Sequence, residues 1–276
     1  MQSINCKGKL LTFEEPRIMG ILNVTPNSFF DGGKYQQVSK ALKRAEVMLL
    51  EGADLLDIGA YSTQPNAEFV SEEEEINRIV PIVEALSKEF PDAFLSIDTF
   101  RSQVALQALD NGAHIINDVS GGKLDSKMFE TVANYKAPYV LMHMKGTPQN
   151  MQQFTQYEDV VKEMMFYFSE QIAKARAAGI SDVIIDPGFG FSKTLDQNFE
   201  ILSKLELFQH LDVPVLSALS RKSMIYKYLQ ITPQEALNGS TVLHTLSLIK
   251  GAQLLRVHDV KEAKQCIQLF LKTHGK

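Results

Sequence analysis

Polar side chains follow short apolar runs at several points along the chain. Each run is typical of a buried strand, and the polar residue stands where the strand should end. Carboxylates and amides in a dry pocket suit a flat heterocycle with adjacent N–H donors, because a carboxylate can accept two parallel hydrogen bonds. Lysine, arginine and histidine near helix N-termini suit phosphate oxygens. The residues are Asn23, Asp57, Asp98, Asn117, His143, Asp186, Arg256 and His258, with Ser220, Arg221, Lys222 and Ser223 forming a further polar group.

A pterin-like or purine-like diphosphate fits both the carboxylates and amides, which suit the ring, and the cations, which suit the phosphates. Asn23 alone is a poor Mg²⁺ site, but Mg²⁺ often takes one protein ligand together with phosphates and waters. For Asp57, His143 and Asp118 taken singly, a structural role is the favoured interpretation. The set as a whole is expected to meet in one cavity, because gathering carboxylates, amides and cations has a desolvation cost that stability alone would not offset.

The elements that would position these residues alternate between strand and helix patterns. About eight strand–helix units in 276 residues predict an α/β fold, a (β/α)8 TIM barrel, since roughly 250 residues are typical of that fold. Residues 1–276 are predicted to form a single domain, because no linker or low-complexity segment divides them. An open doubly wound sheet is the alternative, but the first turn lacks GxGxxG. In such barrels the active site lies at the carboxyl ends of the strands.

Helix starts are signalled by capping residues. Capping boxes or single caps predict where four of the helices begin. The predicted capping residues are Ser71, Thr99, Thr232 and Asp259.

Composition and charge limit the function classes. Hydrophobic residues make up 45% and charged residues 22%, as in globular proteins with a substantial core. A net charge of −5 argues against a nucleic-acid or anionic-membrane partner, although a local cationic pocket can still bind an anion. Cys6 and Cys266 form neither a disulfide framework nor a metal-ligand spacing. Because signal-peptide and membrane-span patterns are also missing from the sequence, we expect a soluble, cytoplasmic protein.

The stretch from Ile18 to Gly33 begins as a buried strand and becomes a long polar loop. Phe29 and Phe30 lie side by side in that loop. They could pack back onto the body of the protein or close over a ligand as a lid.

Eight motifs, taken together, resemble those of the dihydropteroate synthase family, in that family's order and over nearly the whole chain. They read ILNVTPNSFFDGG, GAYSTQPNA, SIDTFR, INDVSGG, LMHMKGTP, DPGFGFSK, SRKS and RVHDV. The resemblance implies a TIM-barrel transferase of folate biosynthesis, a sulfonamide target. It would join 6-hydroxymethyl-7,8-dihydropterin diphosphate to 4-aminobenzoate and release pyrophosphate, with Mg²⁺ present. It also implies small-molecule substrates and a homodimer.

The resemblance assigns the pterin pocket by position. Asp186 matches the carboxylate that takes the pterin 2-amino and ring N–H edge, and Asn117 and Asp98 match the groups at the other ring nitrogens. Lys222 matches the cation at the pterin carbonyl, and Arg256 matches the guanidinium that stacks on the ring. Asp98, Lys222, Arg256 and His258 are the implied catalytic residues.

The remaining contacts come from the same resemblance. The implied diphosphate contacts include Thr63, Arg256, Val257 and His258, with Asn23 as the Mg²⁺ ligand. The implied 4-aminobenzoate contacts are Phe29, Thr63, Pro65, Phe191 and Ser223, and Asp31 belongs with Phe29 to the first mobile loop.

Several positions depart from the family's commonest pattern. Gln64 replaces an arginine in the second loop, and a neutral amide supplies neither the charge nor the fork of a guanidinium. The other departures are Asn27, Tyr61, Asn66 and Ala218.

Two alternatives remain open from the sequence. A methyltransferase acting between methyltetrahydrofolate and a corrinoid protein would share the pterin-facing residues but would not need SRKS, RVH or the two loops. A pterin-binding barrel that has lost synthesis is the other, and the second-loop substitutions are its support.

Overall fold

Eight parallel strands surround the centre of the molecule. The structure is a computed structural model, and it describes residues 2–24, 33–61 and 70–275. The two strands of an N-terminal hairpin are β1 (Ser3–Cys6) and β2 (Lys9–Thr12), and the eight parallel strands are β3 (Arg17–Asn23), β4 (Leu55–Gly59), β5 (Phe94–Asp98), β6 (Ile115–Asp118), β7 (Tyr139–Met142), β8 (Val183–Asp186), β9 (Leu216–Ser217) and β10 (Leu254–Val257). Their order is β8-β7-β6-β5-β4-β3-β10-β9.

The ring closes between the two end strands of that order. Ile185 of β8 forms a parallel bridge with Val215, and the Ile185 N–H donates to the Pro214 carbonyl oxygen at 2.9 Å. The predicted (β/α)8 barrel is therefore confirmed. The strands β4, β7 and β8 are buried along their whole length, as expected of parallel strands covered on both faces.

Helices cover the outside of the barrel and bury an apolar stripe against it. They are α1 (Gly33–Leu50), α2 (Glu72–Glu89), α3 (Ser102–Asp110), α4 (Met128–Asn134), α5 (Val160–Ala177), α6 (Leu195–Ser203), α7 (Ser223–Leu229), α8 (Leu237–Ile249) and α9 (Val260–Thr273). None of these described helices combines the length and the apolarity that crossing a bilayer requires.

The hairpin β1–β2 was not predicted, because two strands of four residues give too short an alternation to recognise. Its apolar side chains, among them Ile4 and Leu11, pack with Leu55, Ile115 and Leu254 from the first residues of barrel strands. The hairpin therefore fills the amino end of the barrel. The opposite, carboxyl end is left as the open mouth.

Two of the four predicted caps are confirmed. The Ser71 side chain accepts from the Glu74 N–H at 3.2 Å. Thr232 opens the predicted box, and its N–H donates to Glu235 at 2.9 Å, although a 3-10 turn over Pro233–Ala236 precedes α8.

Of the other two caps, that at Thr99 is wrong and that at Asp259 is confirmed in position only. Arg101, not Thr99, occupies the N-cap of α3, and the Thr99 hydroxyl donates instead to Glu75 at 2.7 Å. Asp259 does stand at the N-cap of α9 but makes no side-chain cap bond, since both its oxygens accept from Arg221. The Thr99 oxygen accepts from the Arg101 N–H at 3.2 Å, one residue too early to cap the helix, whereas the Asp259 carboxylate is engaged by the charged guanidinium of Arg221.

Candidate active site

The register of the parallel strands brings the predicted site residues to one level. Asp98 lies beside Gly59 of β4 and beside Asn117 of β6, and Asp186 of β8 lies beside Met142 of β7. Because the barrel strands all run in one direction, these residues share the carboxyl end of the barrel. The mouth is thus lined by side chains that are far apart in the sequence.

Arg256 is the centre of a buried ion cluster. Its Nε donates to Asp57 Oδ2 and its Nη2 donates to Asp98 Oδ2, both at 2.6 Å. Asp57 is fully buried, and it also accepts from Ser96 Oγ at 2.6 Å and from Asn117 Nδ2 at 3.0 Å. Asp57 therefore orients two predicted site residues, Arg256 and Asn117, at once.

The cluster places one cation between two carboxylates. Burial raises the pKa of Asp98 to about 7, against the lowering by Arg256 and with a further rise from Asp57. Burial lowers the pKa of Arg256, but Asp57 and Asp98 outweigh it and the net change is upward. Arg256 therefore stays charged, whereas Asp98 near neutral pH can accept a hydrogen bond from a ring nitrogen or donate one to it.

Asp186 lies at the end of β8, and among the described residues only one of its oxygens accepts a hydrogen bond. Its Oδ1 accepts from the Gly188 N–H at 2.7 Å, and its side chain is buried. Burial raises the pKa of Asp186, and the charge of Lys222 opposes that rise. Glycine is required at 188, since its φ is +67° and a Cβ would collide with the carbonyl oxygen of His143. The tight turn thus leaves one carboxylate oxygen for a ligand.

Lys222 extends over the same loop. Its Nζ donates to the Phe189 carbonyl oxygen at 2.7 Å and lies 5.0 Å from the centre of the Phe191 ring. Burial lowers the pKa of Lys222 to about 8, although Asp186 opposes that change. The cation is therefore close to its titration range when no anion is bound.

His258 follows β10 and is held by Ser220. The His258 N–H donates to Ser220 Oγ at 3.1 Å, and its Nδ1 lies 3.1 Å from the same oxygen. Burial and then Arg256 lower the pKa of His258. The other ring nitrogen, Nε2, has no hydrogen-bond partner within residues 2–24, 33–61 and 70–275, and it could bind an anion. The side chain of Val257 is buried in the hydrophobic cluster formed by strands and helices, so only its backbone can face the mouth.

The remaining predicted contacts divide into two groups. Asn23 is exposed at the carboxyl end of β3, Ser223 begins α7 after Lys222, and Phe191 is half-buried under the Lys222 ammonium. Outside the described residues lie Asn27, Phe29, Phe30, Asp31, Thr63, Gln64, Pro65 and Asn66.

Two polar residues at strand ends have structural surroundings, as predicted. Asp118 accepts from the N–H groups of Ser120 and Gly122 and from the Tyr139 hydroxyl, and so shapes the loop after β6. His143 packs edge-on to Tyr167 at 4.8 Å, and burial lowers its pKa well below the ordinary value. His143 is therefore a neutral core histidine.

The comparisons with known proteins agree with this geometry. Residues 19–258 match the family described as pterin binding enzyme. The chain is 42% identical to the dihydropteroate synthase of Escherichia coli (strain K12) over 269 residues, which cover 97% of this chain and 95% of that protein. It is 42% identical to that of Bacillus subtilis (strain 168) over 272 residues, which cover 98% and 93%.

Solved structures give the same answer. The Yersinia pestis dihydropteroate synthase with a sulfonamide drug complex superposes with a TM-score of 0.93 at 40% identity over 100% of both chains. The Xanthomonas albilineans dihydropteroate synthase with 4-aminobenzoic acid gives 0.91 at 39% identity, covering 99% of this chain and 98% of that one. The chain belongs to the dihydropteroate synthase family.

Membership of the dihydropteroate synthase family confirms the resemblance read from the motifs. The chain is a pterin-binding transferase of folate biosynthesis, and the synthase function is supported over the corrinoid methyltransferase and over a barrel without synthesis.

Two positioning features were missed from the sequence. Lys193 is buried, and its Nζ donates to the carbonyl oxygens of Gly188 at 3.0 Å and Phe191 at 2.9 Å, which fixes the loop that carries Phe191. Tyr61, where the family commonly has glutamate, accepts from Gln149 Nε2 at 2.8 Å. The carbonyl acceptors of Lys193 are not specified by residue type, and Tyr61 and Gln149 are 88 positions apart, so neither set of partners has a local sequence signal.

A divalent cation fits the mouth only as a substrate-assisted site. The described residues contain no cluster of three or more His, Cys, Asp or Glu side chains that could hold a metal alone. The exposed amide of Asn23 offers one neutral oxygen at the carboxyl end of β3, the strand that pairs with β10, which carries Arg256. This donor set suits Mg²⁺, which keeps waters and phosphate oxygens as ligands.

Proposed function

We propose that the chain condenses 6-hydroxymethyl-7,8-dihydropterin diphosphate with 4-aminobenzoate, giving 7,8-dihydropteroate and pyrophosphate. The observation that carries the proposal is the meeting of Asp98, Asn117 and Asp186 in the barrel mouth, with Arg256 bound to Asp98 and Asp57 and with Lys222 beside Asp186. In this arrangement the acids and the amide would read the ring, and the cations would bind the diphosphate. The relative crystallised with 4-aminobenzoic acid supports the second substrate.

The pterin ring would be read by the deep residues. The free oxygen of Asp186 would accept from the 2-amino and ring N–H edge, while Asn117 and Asp98 would bond the other ring nitrogens. Asp98 near its pKa of about 7 can match either protonation state of a ring nitrogen. Arg256, fixed by Asp57 and Asp98, would lie against the ring face.

Departure of pyrophosphate is the step that the cations favour. Lys222, Arg256 and His258 would stabilise the negative charge that grows as the methylene C–O bond breaks, and the bonding electron pair leaves with pyrophosphate. Asn23 would help to hold Mg²⁺ when the diphosphate is bound, and the ion would supply Lewis-acid chemistry at the same leaving group. The residual positive charge on the pterin methylene would face the Asp98 carboxylate.

The aromatic amine then forms the new C–N bond and loses one proton to solvent. Its low basicity means that no general base is needed, and we assign none. Phe191 would supply an apolar wall beside the aminobenzoate ring, and Ser223 would receive its carboxylate. Phe29, Thr63 and Pro65 are proposed contacts from the two loops.

We also propose a cytoplasmic homodimer. Support for assembly comes from α8, whose outer face exposes apolar side chains one helical turn apart. They are Val242, Leu246 and Ile249, with exposed fractions of 50%, 42% and 57%.

The function is tested by pyrophosphate release from the pterin diphosphate. Release that depends on 4-aminobenzoate, with dihydropteroate formed in equal amount, is the expected result. Release without the amine, or binding without release, would contradict the proposal.

Binding of the pterin diphosphate should weaken as pH rises above about 8. The pKa of Lys222 is lowered by burial to about 8, and an anion binds the protonated ammonium more tightly than the neutral amine. Binding must therefore take up a proton above that pH, so the affinity should fall by up to about tenfold per pH unit. Calorimetric titrations between pH 7 and 9.5 measure this slope.

Lys222→Arg is the control for that prediction. It keeps the cation and moves its pKa out of the range, so the slope above pH 8 should disappear even if the affinity is lower. An equal slope in both proteins would show that another group titrates.

A further inference from the structure

The loops after β9 and β10 carry the proposed anion-binding residues, yet the strands end before they can hold these loops together. β9 has two residues and pairs with β10 only at Leu216–Leu254 and Ser217–Leu255. Lys222 and His258 both lie beyond the end of this ladder. Strand pairing therefore does not fix their separation, and side-chain links between the two loops can contribute to it.

Arg221 and Asp259 supply that connection. The Arg221 Nε donates to Asp259 Oδ2 at 2.8 Å and its Nη2 donates to Oδ1 at 2.9 Å, a two-point fork. Its Nη1 donates to the carbonyl oxygens of Pro233 at 3.2 Å and Gln234 at 2.8 Å. The Arg221 N–H donates to Ser240 Oγ at 2.9 Å. Arg221 thus ties the loop after β10 to the start of α8.

In this arrangement the backbone of Arg221 adopts a left-handed conformation. Its φ is +54°, a region that non-glycine residues enter only when their surroundings hold them there. Four side-chain hydrogen bonds to three residues do so. An arginine beside a phosphate site could be read as a phosphate ligand, but these donors are already engaged.

The fork lies directly beside the proposed diphosphate contacts. Arg221 precedes Lys222, and Asp259 follows His258. Ser220 adds a parallel link through its Oγ to the N–H and Nδ1 of His258, both at 3.1 Å. Lys222 has its own anchor, the Phe189 carbonyl oxygen at 2.7 Å, so loosening the fork would move His258 relative to it.

We propose that Arg221 is a positioning residue that acts through Asp259 to set the distance between His258 and Lys222, and hence the span of the diphosphate site. The proposal rests on the proposed function for the identity of the anion. The proposal distinguishes binding of the diphosphate from binding of the pterin ring within the same barrel mouth. The fork should govern the binding of the diphosphate part, whereas the ring pocket of Asp186 and Asn117 should not depend on it.

The chain contains a matched control pair at the opposite end of the barrel. Arg17 Nη1 lies 3.1 Å from Asp54 Oδ1, and the exposed side-chain fractions are 27% and 20%. For Arg221 and Asp259 the corresponding fractions are 27% and 21%. Removing either carboxylate charge should therefore have a similar effect on stability, but only one of the two pairs lies near the anion site.

The decisive variant is Asp259→Asn in the full chain, because electrostatics and positioning predict opposite signs. Removing a negative charge beside an anion site would strengthen anion binding. Loss of the fork should weaken it, by about 10- to 100-fold if His258 moves by about 1 Å. Calorimetry measures the affinity of each protein for inorganic pyrophosphate and for 6-hydroxymethylpterin, which lacks the phosphates.

For Asp259→Asn we expect weaker pyrophosphate binding with pterin binding within about twofold of wild type. For Asp54→Asn we expect both affinities unchanged. If Asp259→Asn folds poorly, Arg221→Lys is the second variant, because it keeps the charge without the fork. It should also weaken pyrophosphate binding and leave pterin binding unchanged. Equal or tighter pyrophosphate binding in Asp259→Asn, or a joint loss of both ligands in a folded variant, would overturn the proposal. Wild-type protein that bound neither ligand would instead overturn the proposed function.

Discussion

Replacing Asp57 with alanine is expected to lower the free energy of unfolding by about 3–5 kcal/mol, because it breaks a buried ion pair and leaves the other charge with fewer partners. Asp57 is fully buried and accepts from Arg256, Ser96 and Asn117. Its loss leaves Arg256 with Asp98 alone and frees the Asn117 amide. Urea unfolding at pH 7 measures the change.

The same variant should lose catalysis by more than its instability explains. Arg256 and Asn117 would both lose the group that orients them, and a misplacement of about 1 Å can lower a rate by about a hundredfold. Activity measured at 15 °C, on protein shown by circular dichroism to be folded, separates the two effects.

Asp57→Asn is the matched control. The amide keeps the shape of the side chain and one oxygen acceptor, so it should retain more stability than alanine does. Ser96→Ala removes a single neutral partner of the carboxylate and should have a smaller effect on both quantities. A stable, fully active Asp57→Ala protein would show that Asp98 alone positions Arg256.

The strand ends were predictable because their pattern is local. A glycine that ends a helix, a short apolar run and a polar residue recur within about ten residues, and the closed barrel follows from repeating that unit about eight times. Parallel register then places Asp98, Asn117 and Asp186 at one mouth without further information. That part of the site needed only the order of the elements.

The links between site residues were not predictable in this way. Arg256 and Asp57 are 199 positions apart, and no periodicity relates them. The sequence favours a structural role for Asp57, because a single aspartate within an apolar strand could be a buried structural residue or the partner of a site residue. The structure shows that it serves both purposes, since it satisfies a core position and orients the guanidinium.

The two caps without the predicted side-chain bond have a related cause. Asp259 stands at the N-cap of α9 and Thr99 stands two residues before the N-cap of α3. A local rule cannot see that Arg221 and Glu75 reach these two side chains from other elements. Where a charged donor is available, as for Asp259, the carboxylate leaves the helix N–H groups to other acceptors.

Replacing Asp186 with asparagine is expected to lower kcat/KM for the pterin diphosphate by about a hundredfold to a thousandfold. The variant would lose a charged acceptor, which is worth about 1.5–3 kcal/mol for each hydrogen bond. An asparagine whose oxygen accepts from the Gly188 N–H would turn its NH₂ toward the N–H donors of the ring. Two donors would then face each other in a buried pocket, so the loss should appear in binding as well as in rate.

Steady-state kinetics with each substrate varied, together with titration of 6-hydroxymethylpterin, measure this effect. The KM for 4-aminobenzoate should change little, since neither Phe191 nor Ser223 makes a described hydrogen bond to the Asp186 carboxylate. Asp118→Asn is the matched control, because Asp118 is also a buried strand-end aspartate, and both of its carboxylate oxygens already accept from Ser120, Gly122 and Tyr139. It should lower the thermal midpoint without a comparable loss of pterin affinity. If the Asp186 variant instead bound the pterin as wild type does, the ring edge would have to be read by Asn117 and Asp98, and the orientation proposed for the substrate would be reversed.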